Sequence, residues 1–274
     1  MSMLLYGHMC PICLLSRYRD IFLYSLTLLS AITVFDCRAV EIQPVMGAGP
    51  STVVVRSFFR DFSSIAAADG YEFVVEQRSI KHAGGINASG KYLFGRIGRP
   101  LSAPERAMDK HDLLIARIPI AFVTGSKTGI RLITLEQLNA VFSGKIVNWK
   151  QLGGVDAEIV VTGREPTEVA LSVLKSEYPV FNQAEFDLVL TRDHQLVNLL
   201  SSSAGDYVIG FGARTNFNDD QILHVDGFSS GIKIGLVYDE KNKNHAVVRA
   251  AIDFARSESW RQRVVESNLL PIVD

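Results

Sequence analysis

Residues 132–154 read LITLEQLNAVFSGKIVNWKQLGG, and the fold can be worked out from this stretch. Thr134 and Gln137 stand at the spacing of a capping box, in which a hydroxyl and an amide satisfy the free N–H groups of a helix start, so a helix is expected from Leu135. Leu135, Leu138, Val141 and Phe142 recur three or four apart and give that helix one apolar face. Gly144 offers the left-handed residue that ends it. Trp149 and Leu152 follow before the pair Gly153 and Gly154, and Trp149 is expected to be buried.

Working outward, residues 113–125, LLIARIPIAFVTG, are nearly continuous in apolar and β-branched types and read as a buried strand. Downstream, EIVVTG reads as a strand and REPTEVALSVLKSEY as a helix, with Pro166 in its first turn and Glu165 or Thr167 as its cap. Residues 193–202 form a further capped helix, YVIGFG and IKIGLVY two more strands, and two amphipathic helices close the chain. Upstream, GAGPSTVVVRSFFRDFSSI from Gly47 puts Ser51 or Thr52 at the cap of a helix faced by Val55, Phe58 or Phe59, Phe62 and Ile65. That helix is expected to end at Gly70, ahead of the strand YEFVVE. A glycine-rich turn leading into a helix start is a place where backbone N–H groups and the helix dipole can hold an anion. Strands alternating with helices call for an α/β fold with mostly parallel sheets.

With 47% apolar and 21% charged residues, a disordered or fibrous chain is excluded. Basic and acidic residues nearly balance, 28 against 29, and no basic block stands out, so nucleic acid is not an expected partner. Arg17 and Arg19 precede an apolar run over residues 21–35, too short to span a bilayer comfortably but suited to an export signal, which is read as residues 1–39. A true start nearer Arg17 would account for the segment ahead of it. Acylation at Cys37 is the alternative, and Phe35 and Asp36 match that signal poorly. Cys10 and Cys13 form a CxxC inside this segment, and no cysteine follows Cys37, so no disulfide or thiolate chemistry is expected after cleavage.

The phrases quoted around Leu132, with Leu-Thr-x-x-Gln-Leu, Phe-Ser-Gly-Lys-Ile, Asn-Trp and Leu-Gly-Gly in order, resemble the second-lobe opening of phosphate-type periplasmic binding proteins, the solute receptors of phosphate ABC transporters. The resemblance runs over roughly residues 45–272. It implies a two-lobe type II periplasmic-binding-protein fold, each lobe a mostly parallel sheet flanked by helices, with residues 40–118 plus 236–274 as lobe 1, 119–235 as lobe 2, and crossings near Pro119 and Gly235. It further implies that Pro50, Ser51 and Thr52 contribute to oxyanion binding. Around residues 80–105, Gly85, Ile86, Gly90, Gly95, Arg99, Pro100, Leu101 and Glu105 match the family's series. Lys81 and His82 stand where it has Gly-Ser, Leu93 replaces an Asp, and Gly98 replaces the Ser beside Arg99. His82, Gly98 and Arg99 are carried as ligand candidates, Lys81 and His82 as added donors. At the end of the strand EIVVTG, Gly163 and Arg164 match the Gly-Arg whose guanidinium meets the anion, whereas the Ser-Gly-Thr that follows is missing and Thr167 is the one hydroxyl nearby.

The leading expectation is therefore an extracytoplasmic receptor for an oxyanion, inorganic phosphate by default, that acts as a monomer and delivers its ligand to an ABC permease. The alternative keeps the fold for a sensory, scaffolding or adhesion role with an altered cleft. Scattered histidines and the absence of HExxH or GxSxG phrases speak against an enzyme, and no cofactor or metal is expected.

Overall fold

Apolar runs alternating with capped amphipathic segments produce ten strands and eight α-helices among the described residues, 39–272 of this computed structural model. The first part contains β1 (Glu41–Gly47), α1 (Thr52–Phe62), β2 (Tyr71–Ser79), α2 (Lys81–Ser89), β3 (Gly95–Ile97) and the single turn α3 (Ala103–Arg106), and leads into the long β4 (Lys110–Thr124). The middle part contains β5 (Leu132–Thr134), α4 (Leu135–Phe142), β6 (Val160–Arg164), α5 (Val169–Glu177), β7 (Leu188–Leu190), α6 (Asp193–Leu200), β8 (Val208–Ala213) and β9 (Ile222–Asp226). The chain returns through β10 (Gly231–Asp239) and finishes with α7 (Ala246–Ala255) and α8 (Glu258–Glu266). Cys37 and all but the last residue of the expected export signal lie outside the described residues. No helix among the described residues is long and apolar enough to cross a membrane.

Strand order is β2-β1-β3-β10-β4-β8-β6-β7, with β9 on β4 and β5 on β9. The whole arrangement turns on β4. From Lys110 to Pro119 it pairs antiparallel with β10, and from Ile120 to Thr124 with β8, while Phe122 and Val123 also meet β9. One continuous strand thus serves two sheets and changes partners after a proline, a residue with no N–H to give to a ladder. The outer pairs are parallel (β1 with β2 and β3, β6 with β7 and β8, β5 with β9), and the antiparallel ones all involve β4 or β10.

Gly235 lies inside the β4–β10 ladder. The β10 ladder already begins at Gly231, opposite Pro119, and slips at Ile234 and Gly235 so that Ile115 of β4 has no partner. A Cβ on Gly235 would lie 2.2 Å from the Leu113 carbonyl, so only glycine fits this bulge. The Ile115 carbonyl is taken instead by the indole N–H of Trp260 at 2.8 Å. Beyond α8, Leu270 exchanges both backbone hydrogen bonds with Arg117 (2.8 and 2.9 Å) and ties the end of the chain to the crossing strand.

The stretch around Leu132 folds as its spacing predicts. The Gln137 N–H donates to the Thr134 hydroxyl (3.1 Å), the Thr134 N–H to the Gln137 amide oxygen (2.9 Å), and Gly144 adopts φ 72°. Trp149 is fully buried and its indole N–H donates to the Tyr207 carbonyl at 2.9 Å. In the same core Phe122, Phe142, Phe181 and Phe211 pack ring on ring, while Phe58, Phe59, Phe62, Phe73, Phe94, Phe254 and Trp260 do the same on the first sheet. Helix α1 stops at Phe62, ahead of Gly70, because the Ser63 and Ser64 hydroxyls donate to the Phe59 and Asp61 carbonyls (both 2.7 Å) and occupy acceptors of the last turn.

Replacing Trp149 by Ala is expected to cost about 3–5 kcal/mol, the range for emptying a fully buried aromatic site. Urea unfolding monitored by circular dichroism measures it, and a loss below about 1 kcal/mol would mean the indole is not the packing centre assigned to it.

Candidate functional site

Strand β1 ends in Gly47, whose φ of 147° and closeness to β3 leave no room for a side chain: a Cβ there would lie 1.9 Å from the Arg96 carbonyl. The chain then turns through Ala48, Gly49 and the exposed Pro50 into α1. Ser51 is fully buried and its hydroxyl donates to the Ala48 carbonyl (2.9 Å); the Thr52 hydroxyl donates to the Gly49 carbonyl (2.7 Å). Both hydroxyl protons are therefore spent on the turn itself. In the first helical turn the Thr52 and Val55 N–H groups bond Gly49 and Ser51, which leaves the Val53 and Val54 N–H groups facing out of the helix end with no backbone acceptor among the described residues. Ser51 and Thr52 thus stand at the start of α1 with their hydroxyl protons turned inward, and the groups left facing out are backbone N–H.

Beneath this turn lies Arg96 of β3, which sequence reading passed over. It is fully buried. Its guanidinium donates to the Ala48 carbonyl and the Thr52 hydroxyl through one terminal nitrogen, and to the Glu76 and Arg78 carbonyls (2.7 and 3.1 Å) through the other. Burial, and then the charge of Arg56, pull its pKa below the usual arginine value. The signal that could have found it is a lone charge inside the run LFGRIG.

Gly98, Arg99 and His82 come together at the next level. Gly98 is buried against the β1–α1 turn, with space for a Cβ only 3.2 Å from that of Ala48, so it packs and offers no side chain to a ligand. Arg99 is held by Glu105 through two parallel bonds of 2.8 Å and also donates to the Pro100 carbonyl. Glu105 in turn accepts the Ser102 N–H (2.7 Å) at the start of α3, and Arg99 foremost drives its carboxyl far below the ordinary range. His82, with 16% of its side chain exposed, brings a ring nitrogen to 3.3 Å from Glu105, yet neither ring nitrogen completes a hydrogen bond among the described residues, so the contact is a proximity without hydrogen-bond alignment. Burial first, then the neighbouring Arg99 charge, lower the His82 pKa, which keeps the ring neutral near pH 7. Lys81, exposed and at φ 63°, opens α2 in place of a loop.

In the second lobe Arg164 ends β6, buried, beside Leu190 of β7. It lines a cavity of about 540 Å³ with Thr191, Arg192, His194, Val197 and Asn216. Thr167 is exposed and lines a different cavity of about 400 Å³, together with Arg99, Pro100 and Lys233 from the first sheet and one face of α5. The structure therefore pairs Thr167 with Arg99 and separates both from Arg164. Helix α5 begins only at Val169, with Glu168 as its cap in place of Glu165 or Thr167: the Glu168 carboxylate accepts the Leu171 N–H at 2.9 Å. An internal carboxylate thus occupies the helix start where an external anion would be held. Lys233, Arg192 and His194 join these cavities without having been singled out, because nothing in their immediate sequence marks them. No cluster of metal-ligating side chains occurs among the described residues.

With that geometry in place, comparison with known proteins is informative. A family model described as the PBP superfamily domain matches residues 50–181. The phosphate-binding protein PstS of Bacillus subtilis is 25% identical over 178 residues, 60% of this chain and 58% of that protein. The PstS of Borreliella burgdorferi is 26% identical over 157 residues, 54% of this chain and 53% of that protein. The chain thus spans a little over half the length of the curated relatives it matches. Among solved structures, an ABC-type phosphate transport receptor from Vibrio cholerae superposes with a TM-score of 0.55 at 17% identity, covering 84% of this chain and 99% of that one. That likeness establishes the two-lobe periplasmic-binding-protein fold.

The buried His82 gives a pH dependence with a definite sign. Its folded pKa lies below the unfolded value of about 6.5, so the unfolded chain binds the proton first, and the stability His82 contributes at neutral pH is lost as pH falls below about 6.5. Glu105, depressed from about 4.3, loses its contribution only at more acidic pH, so the two windows are separate. Urea unfolding at about pH 7 and about pH 5.5 is expected to give a smaller drop for His82→Gln than for the wild type; equal drops would show that His82 is not the group involved.

Proposed function

We propose that this chain, which is similar in sequence and fold to phosphate-type periplasmic binding proteins, is an extracytoplasmic solute-binding protein that holds an oxyanion, inorganic phosphate first, between its lobes for delivery to an ABC permease. The observation that carries the reading is the cavity of about 400 Å³ to which the first sheet contributes Arg99 and Lys233 and the second lobe contributes Thr167. Candidate residues from both lobes line one space, as a ligand closed over by two lobes requires. Lobe 1 is taken as residues 40–118 with the returning strand, lobe 2 as the segment between, and the return is set ahead of Gly231 because β10 pairs with β4 from that residue onward. The protein acts as a monomer after export to the periplasm, and it binds rather than transforms its ligand. Arg99, Lys233 and Thr167 at this cavity, with the backbone donors at α1, are the groups assigned to the anion, whereas Arg164 lines the separate cavity.

A second reading has its own support. Arg99 is engaged by Glu105 and the start of α5 is closed by Glu168, so two places that would meet phosphate are satisfied from within. On that reading the fold serves a sensory, scaffolding or adhesion role with a changed cleft.

Thermal unfolding of the protein, refolded free of endogenous ligand, separates the two. Phosphate at a hundred times its dissociation constant is expected to add about 2.7 kcal/mol, a rise of several degrees, with sulfate and nitrate as comparisons. Arg99→Ala, at the cavity wall, is expected to remove most of the rise. Absence of any shift with all three anions would favour the second reading.

A further inference from the structure

The β1–α1 turn concentrates positive charge that no ion pair among the described residues answers. Arg96 is fully buried, and its Nε atom has no hydrogen-bond partner among the described residues. Its four acceptors, the carbonyls of Ala48, Glu76 and Arg78 and the hydroxyl of Thr52, are all neutral. None of the ion pairs among the described residues includes it. The carboxylate that acts on it most, Glu76, is exposed and works at a distance, and Arg56 opposes it. A buried cation is tolerated when a negative charge answers it, and neutral carbonyls answer only part of that need.

The place where the answering charge belongs is set by Thr52. Arg96 donates to its hydroxyl, and the same residue opens α1, so the guanidinium sits one side chain away from the positive end of the helix. The Val53 and Val54 N–H groups point out of that end. A fixed cation, a helix dipole and two backbone donors converge, and none of the ion pairs among the described residues brings an acid to them.

We propose that Arg96 is the buried counter-charge for an oxyanion bound at the first turn of α1, and that it selects the ligand by charge, favouring tetrahedral dianions such as phosphate and sulfate over monovalent anions. The inference rests on the oxyanion-binding reading and names the residue that sets its specificity. Arg96 is a positioning residue: it ties the turn, through the Ala48 carbonyl, to β2, through the Glu76 and Arg78 carbonyls, and acts on the anion through its field, with no exposed atom to touch it. The hydroxyl protons of Ser51 and Thr52, spent on the turn, leave that charge as the main discriminating element.

The test supplies or removes the charge and reads melting temperature in the full-length protein with inorganic phosphate, sulfate or nitrate. Thr52→Asp places a carboxylate against Arg96, and without added anion it is expected to melt above its neutral counterpart Thr52→Asn. Arg96→Lys keeps the charge and is expected to keep the preference for phosphate and sulfate over nitrate. Arg96→Gln is expected to weaken phosphate binding at least about tenfold and to erase that preference. A Thr52→Asp protein no more stable than Thr52→Asn overturns the inference, and this comparison decides alone if Arg96→Gln does not hold its native near-UV spectrum. A folded Arg96→Gln protein that still prefers phosphate to nitrate as the wild type does overturns it too. A wild-type protein indifferent to phosphate and sulfate sinks the oxyanion reading itself, whereas a responsive wild type with an indifferent Arg96→Gln substitution sinks only the role of Arg96.

Discussion

The backbone ladder of β4 is the constraint on which the other elements rest. Its first ten residues are committed to β10 and its last five to β8, so both sheets share one covalent spine and neither can be assembled without it. Pro119 marks the changeover because it takes nothing from a ladder, and Ser230 opposite accepts the next N–H, that of Ile120, at 3.0 Å. Any change of angle between the sheets has to be absorbed at this point and in the return segment before Gly231. The tail beyond α8 is bound to Arg117 just ahead of it, so the end of the chain is also referred to the same strand.

Around that spine the two lobes use the same device in different places. Each contains one of the chain's two tryptophans, buried, with its indole N–H given to a backbone carbonyl: Trp260 to Ile115, and Trp149 to Tyr207, which also accepts the Val160 N–H (3.2 Å). At Ile115 the carbonyl is freed by a bulge made possible by Gly235. Packing and hydrogen bonding thus reinforce each other, since an indole inserted without an acceptor would carry a buried, unsatisfied donor.

At the strand ends the polar groups are divided between holding the fold and remaining open to a ligand. Ser51 and Thr52 use their protons on the turn, Glu105 claims Arg99, and Glu168 closes α5. What remains outward is backbone N–H at α1 and the exposed Lys233 at one cavity wall. On the proposed reading the site works by charge rather than hydroxyl geometry, in line with the missing Ser-Gly-Thr after Arg164 and with Leu93, buried and apolar, where the resemblance implies an acid.

What the sequence determined by itself is everything governed by neighbours within about four positions: the α4 capping box, the Gly144 stop, the apolar face of α1 and the buried run of β4. Caps and periodicities are local interactions, so residue order alone expresses them. Three-residue strands such as β5 and β7 escaped because they are defined by their partners and not by a period of their own. Where more than one acidic or hydroxyl residue competed for a helix start, as at Glu165, Thr167 and Glu168, order alone did not choose, and packing of α5 did. Only tertiary structure decided that Arg99 is held by Glu105, that Arg164 and Thr167 face different cavities, and that Arg96 is buried beneath α1. Those relations depend on β-pairing that joins segments tens of residues apart, and on burial, which turns an ordinary arginine into a charge that must find its partner elsewhere.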